Sequence, residues 1–417
     1  MRALSGELAR VARMDISGIG HRVAYWRVRR GLTQSDFGAL MGRSRRWVQD
    51  LEGGQRGSAA NLAVLDQAAA VLEVRLEQLL ADERADASPE CVDAAELAAI
   101  RAALQHPEVV TGAGDSRAKP VDALRRDVAY GWTAFQAADY TPLGRLLPGL
   151  LREATRTAHD STGHRQDTAF SLLAMTLMLT TAVCTKFGDH PLAYRAADRS
   201  VQAAERSGDP VVMAASARHL VDGMFHGGEG LAAIALAAAV AQRLEADLVA
   251  RGPHGLSALG MLHLKAAIAA AHIDDRAAVP DLLDAAKQSA DRMGVDGNAM
   301  WTAFGPTNVQ LHRVSAAIRL YDGPGAVSAA QGIDATARDA LPRERRANHL
   351  VDLARGQSLA GRRPQAVDTL LRAEGLAPQE VHCRPQAAKL VADLRLLGVG
   401  SAEGRLRALA DRCGLPR

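Results

Sequence analysis

The stretch "GRSRRWVQDLEGG" (42–54) places Arg45 and Arg46 directly after a serine and directly before Trp47 and Val48, then stops at two glycines. On a helix, Val48 and Leu51 sit three residues apart and must face inward. Arg45, Arg46 and Gln49 then share the opposite face. Two guanidinium forks and an amide on one free helical edge can make paired hydrogen bonds to an anion or to the edge of a base. Three later stretches repeat a different pattern. "ASARHLVDGMF" (215–225) sets Arg218 and Asp222 on one helical face, and "RRANHLVDLARGQ" (345–357) stacks Asn348, Asp352 and Arg355 at i, i+4 and i+7. "WTAFGPTNVQLHRV" (301–314) puts Asn308 and His312 on one face, just after a turn holding Trp301 and Phe304, and His263 lies in the intervening hairpin. Aromatic surface beside a few convergent polar groups is the chemistry of a small-molecule or peptide site, and an asparagine amide both donates and accepts.

Catalysis is not the expectation. His312 or His263 could serve as a general base, but no nucleophile, base and orienting group come together. No metal-ligand spacing or glycine-rich phosphate loop appears, so neither cofactor nor metal is expected. Cys91, Cys184, Cys383 and Cys413 are scattered without a C-x-x-C pair and read as core or surface thiols.

These groups need elements to carry them, and the composition says helix. The chain of 417 residues is rich in alanine, leucine and arginine, with 4% aromatics and few β-branched runs. No uncharged apolar run of about 18 residues occurs, and "MRALSGELARVARMDISG" (1–18) lacks the apolar core of a signal peptide, so a cytoplasmic protein without a membrane partner is expected. Net charge is only +3, yet residues 19–56 hold eight arginines against three acids. A small basic head on a larger neutral body fits a polyanion partner.

The head divides into five helices over 19–82. "IGHRVAYWRVRR" stops at Gly31, Thr33 caps "QSDFGALM", Ser44 caps "RRWVQDLE", and "AANLAVLDQAAAVL" and "RLEQLL" follow. Residues 83–120 read as one helix and a flexible linker. Over 121–417, short turns followed by an alanine recur, the alanines being 193, 232, 278, 326 and 366. Such turns between amphipathic segments predict six or seven stacked helical hairpins, each burying its face on its neighbours. The first helix of each hairpin is then expected to line a concave groove.

"RRGLTQSDFGALMGRSRRWVQDLEGGQR" closely resembles the helix-turn-helix domain of the XRE (phage-repressor-like) regulators, in its Gly-Leu-Thr-Gln, Gly-x-Ser and Glu-x-Gly positions together. The resemblance covers about 60 residues. It implies that Gln34 and Ser44 touch phosphate, with Arg43 beside them, while Arg45, Arg46 and Gln49 reach base edges in the major groove. It also implies a structural pair between Arg27 and Glu52. Asp50 and Trp47 depart from the family's usual residues, Trp47 being expected at the domain edge. The whole chain resembles actinobacterial XRE regulators with a tetratricopeptide-like C-terminal body. The expected protein is therefore all-α, with a five-helix DNA-binding domain joined to a helical-hairpin solenoid. It is expected to act as a homodimeric transcriptional regulator on a palindromic operator, its body sensing a small molecule or peptide. The alternative is a regulator whose body binds only a protein partner.

Overall fold

The computed structural model describes residues 19–53, 62–74, 76, 79, 92, 94–105 and 118–415; the N-terminal extension and most of the fifth head helix and of the linker lie outside them. All regular structure among the described residues is helical. The chain forms two compact units, residues 1–88 and 89–417.

In the head, α1 (Ile19–Arg29), α2 (Gln34–Leu40), α3 (Arg45–Glu52) and α4 (Leu62–Leu72) enclose one small core built on Val23, Phe37, Val48, Leu51 and Leu72. Their ends follow from local chemistry. Thr33 and Asp36 form a capping box on α2, with the Thr33 side chain accepting from Asp36 N and the Asp36 carboxylate accepting from Thr33 N. Ser44 Oγ accepts from Trp47 N at 3.2 Å and starts α3. Between them Gly42 takes φ +64°, a left-handed conformation that closes α2 tightly enough for α3 to begin three residues later.

The body opens with α5 (Ala94–Gln105), whose Ile100 and Leu104 are fully buried in its main core. This helix, read from sequence together with the linker, is thus part of the body. Seven hairpins follow. They are α6 (Val121–Gln136) with α7 (Tyr140–Asp160), α8 (His164–Lys186) with α9 (His190–Ser207), α10 (Pro210–His226) with α11 (Gly230–Ala250), and α12 (Pro253–His272) with α13 (Ala278–Met293). Next come α14 (Pro306–Arg319) with α15 (Gly323–Gln331) and the short α16 (Ala335–Ala340). Then come α17 (Arg343–Leu359) with α18 (Arg363–Leu376), the short α19 (Pro378–His382), and α20 (Pro385–Leu397) with α21 (Glu403–Arg412). Helix α8 is long and apolar enough to cross a membrane, but 72% of that window is buried inside the fold, where it forms the centre of the largest core.

One turn recurs inside the hairpins. A residue in the left-handed region closes the first helix, and the next residue's N–H reaches back to a carbonyl five positions earlier. This holds for Asp139 to Ala134, Asp189 to Cys184, Glu229 to Met224, Asp275 to Ala270 and Asp322 to Ala317. The acid then caps the second helix at several of these turns, as Asp189 does by accepting from Leu192 N at 3.1 Å and Asp322 from Gly325 N at 2.8 Å. Four residues after each acid, a small or branched apolar residue packs inward: Leu143, Ala193, Ala233, Val279 and Ala326. Two of the alanines read from sequence, Ala232 and Ala278, are one position off this register; Ala232 is exposed and Ala278 only half-buried.

The hairpins do not run away from one another. Tyr140 N donates to Gln379 Oε1 at 2.8 Å, and the Tyr140 hydroxyl donates to Glu380. Gln136 Nε2 donates to Asn298 Oδ1 at 2.9 Å and to Trp301 O at 3.1 Å. The first hairpin is thereby tied to the loop between the fourth and fifth hairpins and to α19, which precedes the last, and the first helices of the hairpins face a common interior.

Candidate functional site

Two places bring polar groups together. On the head, Val48 and Leu51 are 0% exposed, while Arg43, Ser44, Arg45, Arg46 and Gln49 are exposed, as the helical spacing requires. Behind this edge lies a buried support. Arg27 Nε donates to Glu52 Oε1 at 2.5 Å, and its Nη2 to Oε2 at 3.2 Å. Gln34 Nε2 donates to the same carboxylate at 2.8 Å, and Gln34 Oε1 accepts from Gln49 Nε2 at 3.2 Å. A chain of bonds thus runs from the core ion pair to a side chain of the free face, fixing the Gln34 and Gln49 amides relative to the helix. Trp47 is half-buried at the edge, with the Arg43 guanidinium 5.5 Å from its ring centroid.

In the body, a cavity of about 180 Å³ collects residues from the first helix of six hairpins and from the start of the seventh. Helix α6 gives Trp132, Phe135 and Gln136, and α8 gives Lys186. From α10 come Arg218, His219, Asp222 and His226, and from α12 comes Lys265. Helix α14 gives His312, Ser315 and Arg319, and α17 gives Glu344, Arg345, Asn348, His349 and Asp352. Arg384 and Gln386 enter from the start of α20. The loop before α14 adds Trp301, stacked on Trp132 with ring centroids 5.6 Å apart and 10° between planes.

That loop explains part of the motif at 301–314. Met300, Trp301 and Ala303 have φ of 52°, 52° and 49°, a region that side chains other than glycine rarely take. Three contacts hold it there. Asp296 accepts from Thr307 N at 2.9 Å and from its hydroxyl at 2.6 Å, Asn298 Oδ1 accepts from Ala303 N at 3.1 Å, and Phe304 fills the space left by Gly260. A Cβ on Gly260 would stand 1.9 Å from Phe304 Cζ, so only glycine admits the ring.

Of the residues expected at a ligand site, Arg218, Asp222, Trp301, His312, Asn348 and Asp352 line this one cavity, while Phe304, Asn308, His263 and Arg355 do not. Phe304 is fully buried as the loop's anchor. Asn308 is fully buried too, and its amide donates to Thr302 O at 3.2 Å, so it serves the loop rather than a ligand. His263, two residues before Lys265, is turned off the lined face, and Arg355 is exposed away from the cavity. The spacing did not point to Lys186, Lys265, Arg319, Glu344, Arg345 or Arg384, nor to the histidines 219, 226 and 349.

The cavity's charges are largely organised in pairs. Lys186 Nζ lies 2.7 Å from Glu344 and 2.6 Å from Glu380, over the rings of Phe135 and Tyr140. Burial raises the Tyr140 phenol well above its ordinary value, and Glu380 adds to this, so it stays protonated and donates. Burial opposes charge on Glu344, but Lys186 more than offsets it and holds the carboxyl at about 2. Asp222 takes a bond from Lys265 at 2.8 Å, and that ammonium holds it well below the carboxylate range against its burial. The histidines stay neutral. Burial, then Arg345, lowers His312 to about 3, and burial lowers His349 and His226 to about 4. His312 Nδ1 lies 2.9 Å from Asn308 O, which in the neutral ring assigns the proton to Nδ1 and leaves Nε2 an acceptor.

Among the described residues no group of three or more His, Cys, Asp or Glu side chains could hold a metal ion. Cys383 is disulfide-bonded, which corrects the reading of all four cysteines as thiols; Cys184 and Cys413 are free. No family model, curated protein or solved structure matches the chain.

Proposed function

We propose that the protein is a sequence-specific DNA-binding transcriptional regulator of the XRE type, acting in the cytoplasm as a homodimer, whose helical-hairpin body senses a small molecule. The observation that carries this reading is the two-sided α3. Its Val48/Leu51 face is fully buried, its Arg45/Arg46/Gln49 face is free, and the Arg27–Glu52–Gln34–Gln49 chain holds that face in place. Arginine suits guanine O6/N7, and glutamine suits adenine N6/N7, each good pair giving roughly 1–3 kcal/mol of discrimination. One head offers few base contacts, so two heads on half-sites about 34 Å apart, or a multiple of that, supply the rest. Charged and polar side chains from the successive hairpins converge on one cavity, which supports a small polar ligand as the effector. A ligand that binds one arrangement of the hairpins better shifts DNA affinity by that difference, a tenfold change corresponding to about 1.4 kcal/mol.

The test is a titration of full-length protein on its selected duplex, taken from a randomised pool, and on random duplexes. Arg46→Ala is expected to lose affinity on the selected duplex and little on random ones, whereas Gln34→Ala weakens both. Equal losses on both for Arg46→Ala would remove the base-reading role.

A further inference from the structure

Six cationic side chains line the body cavity, Lys186, Arg218, Lys265, Arg319, Arg345 and Arg384, against three acids, Asp222, Glu344 and Asp352. Glu380 lies behind the wall and accepts from Lys186 and Arg384, which leaves a surplus of two positive charges. Tracing the pairs locates the surplus. Lys186 has Glu344 and Glu380, Lys265 has Asp222, and Arg384 has Glu380 at 2.7 Å. Arg319 donates to Ser315 O at 3.3 Å, and the Ser315 hydroxyl donates to Asp352, a carboxylate that also favours the Arg319 charge.

Arg218 and Arg345 remain. Arg218 is 6% exposed, its Nη2 lies 3.0 Å from the Nε2 of the neutral His219, and its Nε has no partner. Arg345 is half-buried, and its Nε lies 3.9 Å from Glu344, a carboxylate already bonded to Lys186; that is too far for a hydrogen bond, and Nε makes none. The two cations act on each other: after burial, Arg345 is the next cause lowering the Arg218 guanidinium, to about 10. Asp222, one turn along α10, favours the Arg218 charge but is itself bonded to Lys265, so neither guanidinium has a carboxylate within hydrogen-bond distance, and two such cations that repel one another are costly to enclose. An anion relieves both at once. Arginine's Nε and Nη form the fork that takes two oxygens of one carboxylate or phosphate.

We infer that this cavity binds a compact dianionic oxyanion, a phosphate or a short dicarboxylate, clamped between Arg218 and Arg345. The cavity of about 180 Å³, lined by cationic and polar side chains, admits such an anion. Asn348 Oδ1 already accepts from Arg384 at 2.6 Å, so its amide NH₂ is left to donate to a third oxygen. The inference rests on the sensor reading for its role, but the binding is measured without DNA.

The experiment is calorimetric titration and thermal melting of the full-length protein at fixed ionic strength, with inorganic phosphate, succinate and neutral succinamide as probes. Saturable one-to-one binding of phosphate or succinate, with none of succinamide, is expected; which of the two binds separates phosphate from dicarboxylate. Arg345→Gln is expected to weaken that binding about tenfold or more. Arg218→Met is expected to abolish binding, yet to melt at or above the temperature of the unliganded wild type, because it removes a buried charge that no carboxylate bonds; a purely structural arginine would give a lower melting temperature. Binding of neither anion, or a lower melting temperature for Arg218→Met with anion binding retained, would overturn the inference. DNA titrations on the same samples keep the outcomes apart, since a protein that binds DNA specifically but no anion leaves the regulator reading standing and removes this one.

Discussion

Head and body both gather arginine, under opposite solvation. Arg45 and Arg46 stand in water on the free face of α3, where each charge is hydrated and screened. Arg218, Lys186 and Arg384 are enclosed, and most of their neighbours exist to compensate them. The same residue type thus does two kinds of work. On the head, positive charge is held at little cost, because water hydrates it and salt screens it. In the body, every charge must be matched locally, and the unmatched ones are informative because folding alone does not favour them.

This contrast can be broken most severely at Glu380. It is fully buried and serves Tyr140, Lys186 and Arg384 at once. Glu380→Gln is expected to cost the body about 3–5 kcal/mol, measured by urea unfolding. In the head, Arg27→Ala leaves Glu52 buried with only Gln34 for a partner, and a loss of about 3 kcal/mol is expected. Because the head and body are separate units, calorimetry should show the head's transition moved and the body's unchanged. If both shift together, the division into units fails.

The histidines sharpen the comparison through pH. His312 has a folded-state value of about 3, lowered by burial and by Arg345, Lys265 and Arg319, while the Asn308 carbonyl opposes that shift. The unfolded imidazole, near 6.5, takes its proton first, so stability present above about pH 6.5 is lost as pH falls towards 3. Asp222 and Glu344 are held low enough to remain charged between pH 7 and 5, so the histidines govern that window. His312→Gln is expected to remove about 2 kcal/mol of the stability lost between pH 7 and 5. A pH profile identical to wild type would contradict a neutral buried His312. At the small end stands Lys389→Ala, which breaks an exposed pair with Asp393 at 3.0 Å and should change the melting free energy by at most about 0.5 kcal/mol.

How much of this was legible from residues depends on the range of the interaction that decides it. The inward and outward faces of α3 follow from a 3.6-residue period and two caps, all within ten residues, so that reading holds to the side chain. Hairpins are visible through their turns, but the alanine after each turn marks them inexactly. Alanine is common enough in this chain to fall one position off register, whereas the acid after the left-handed residue recurs at a fixed place, and at Asp189, Asp275 and Asp322 it caps the next helix. Arg218/Asp222 and Asn348/Asp352 were readable as stripes on single helices. That they line one cavity depends on contacts spanning up to 240 residues, and no local pattern encodes those. Asn308 and His312 share a face by spacing, yet one turn of helix separates the loop's anchor from the cavity wall.

The tie between Lys186 and Glu380 has a consequence for how the chain is made. The two residues are 194 positions apart. At the ordinary pace of about 5–20 residues per second, roughly 10–40 s separate their synthesis. For most of that interval, until Glu344 is made, the ammonium has neither of its acids, and its insertion between Phe135 and Tyr140 is unfavourable. The nascent body is therefore expected to stay open at α8 on the ribosome and to close only when its last hairpins emerge, so chains ending before residue 380 should be selectively cleaved by protease within 164–186.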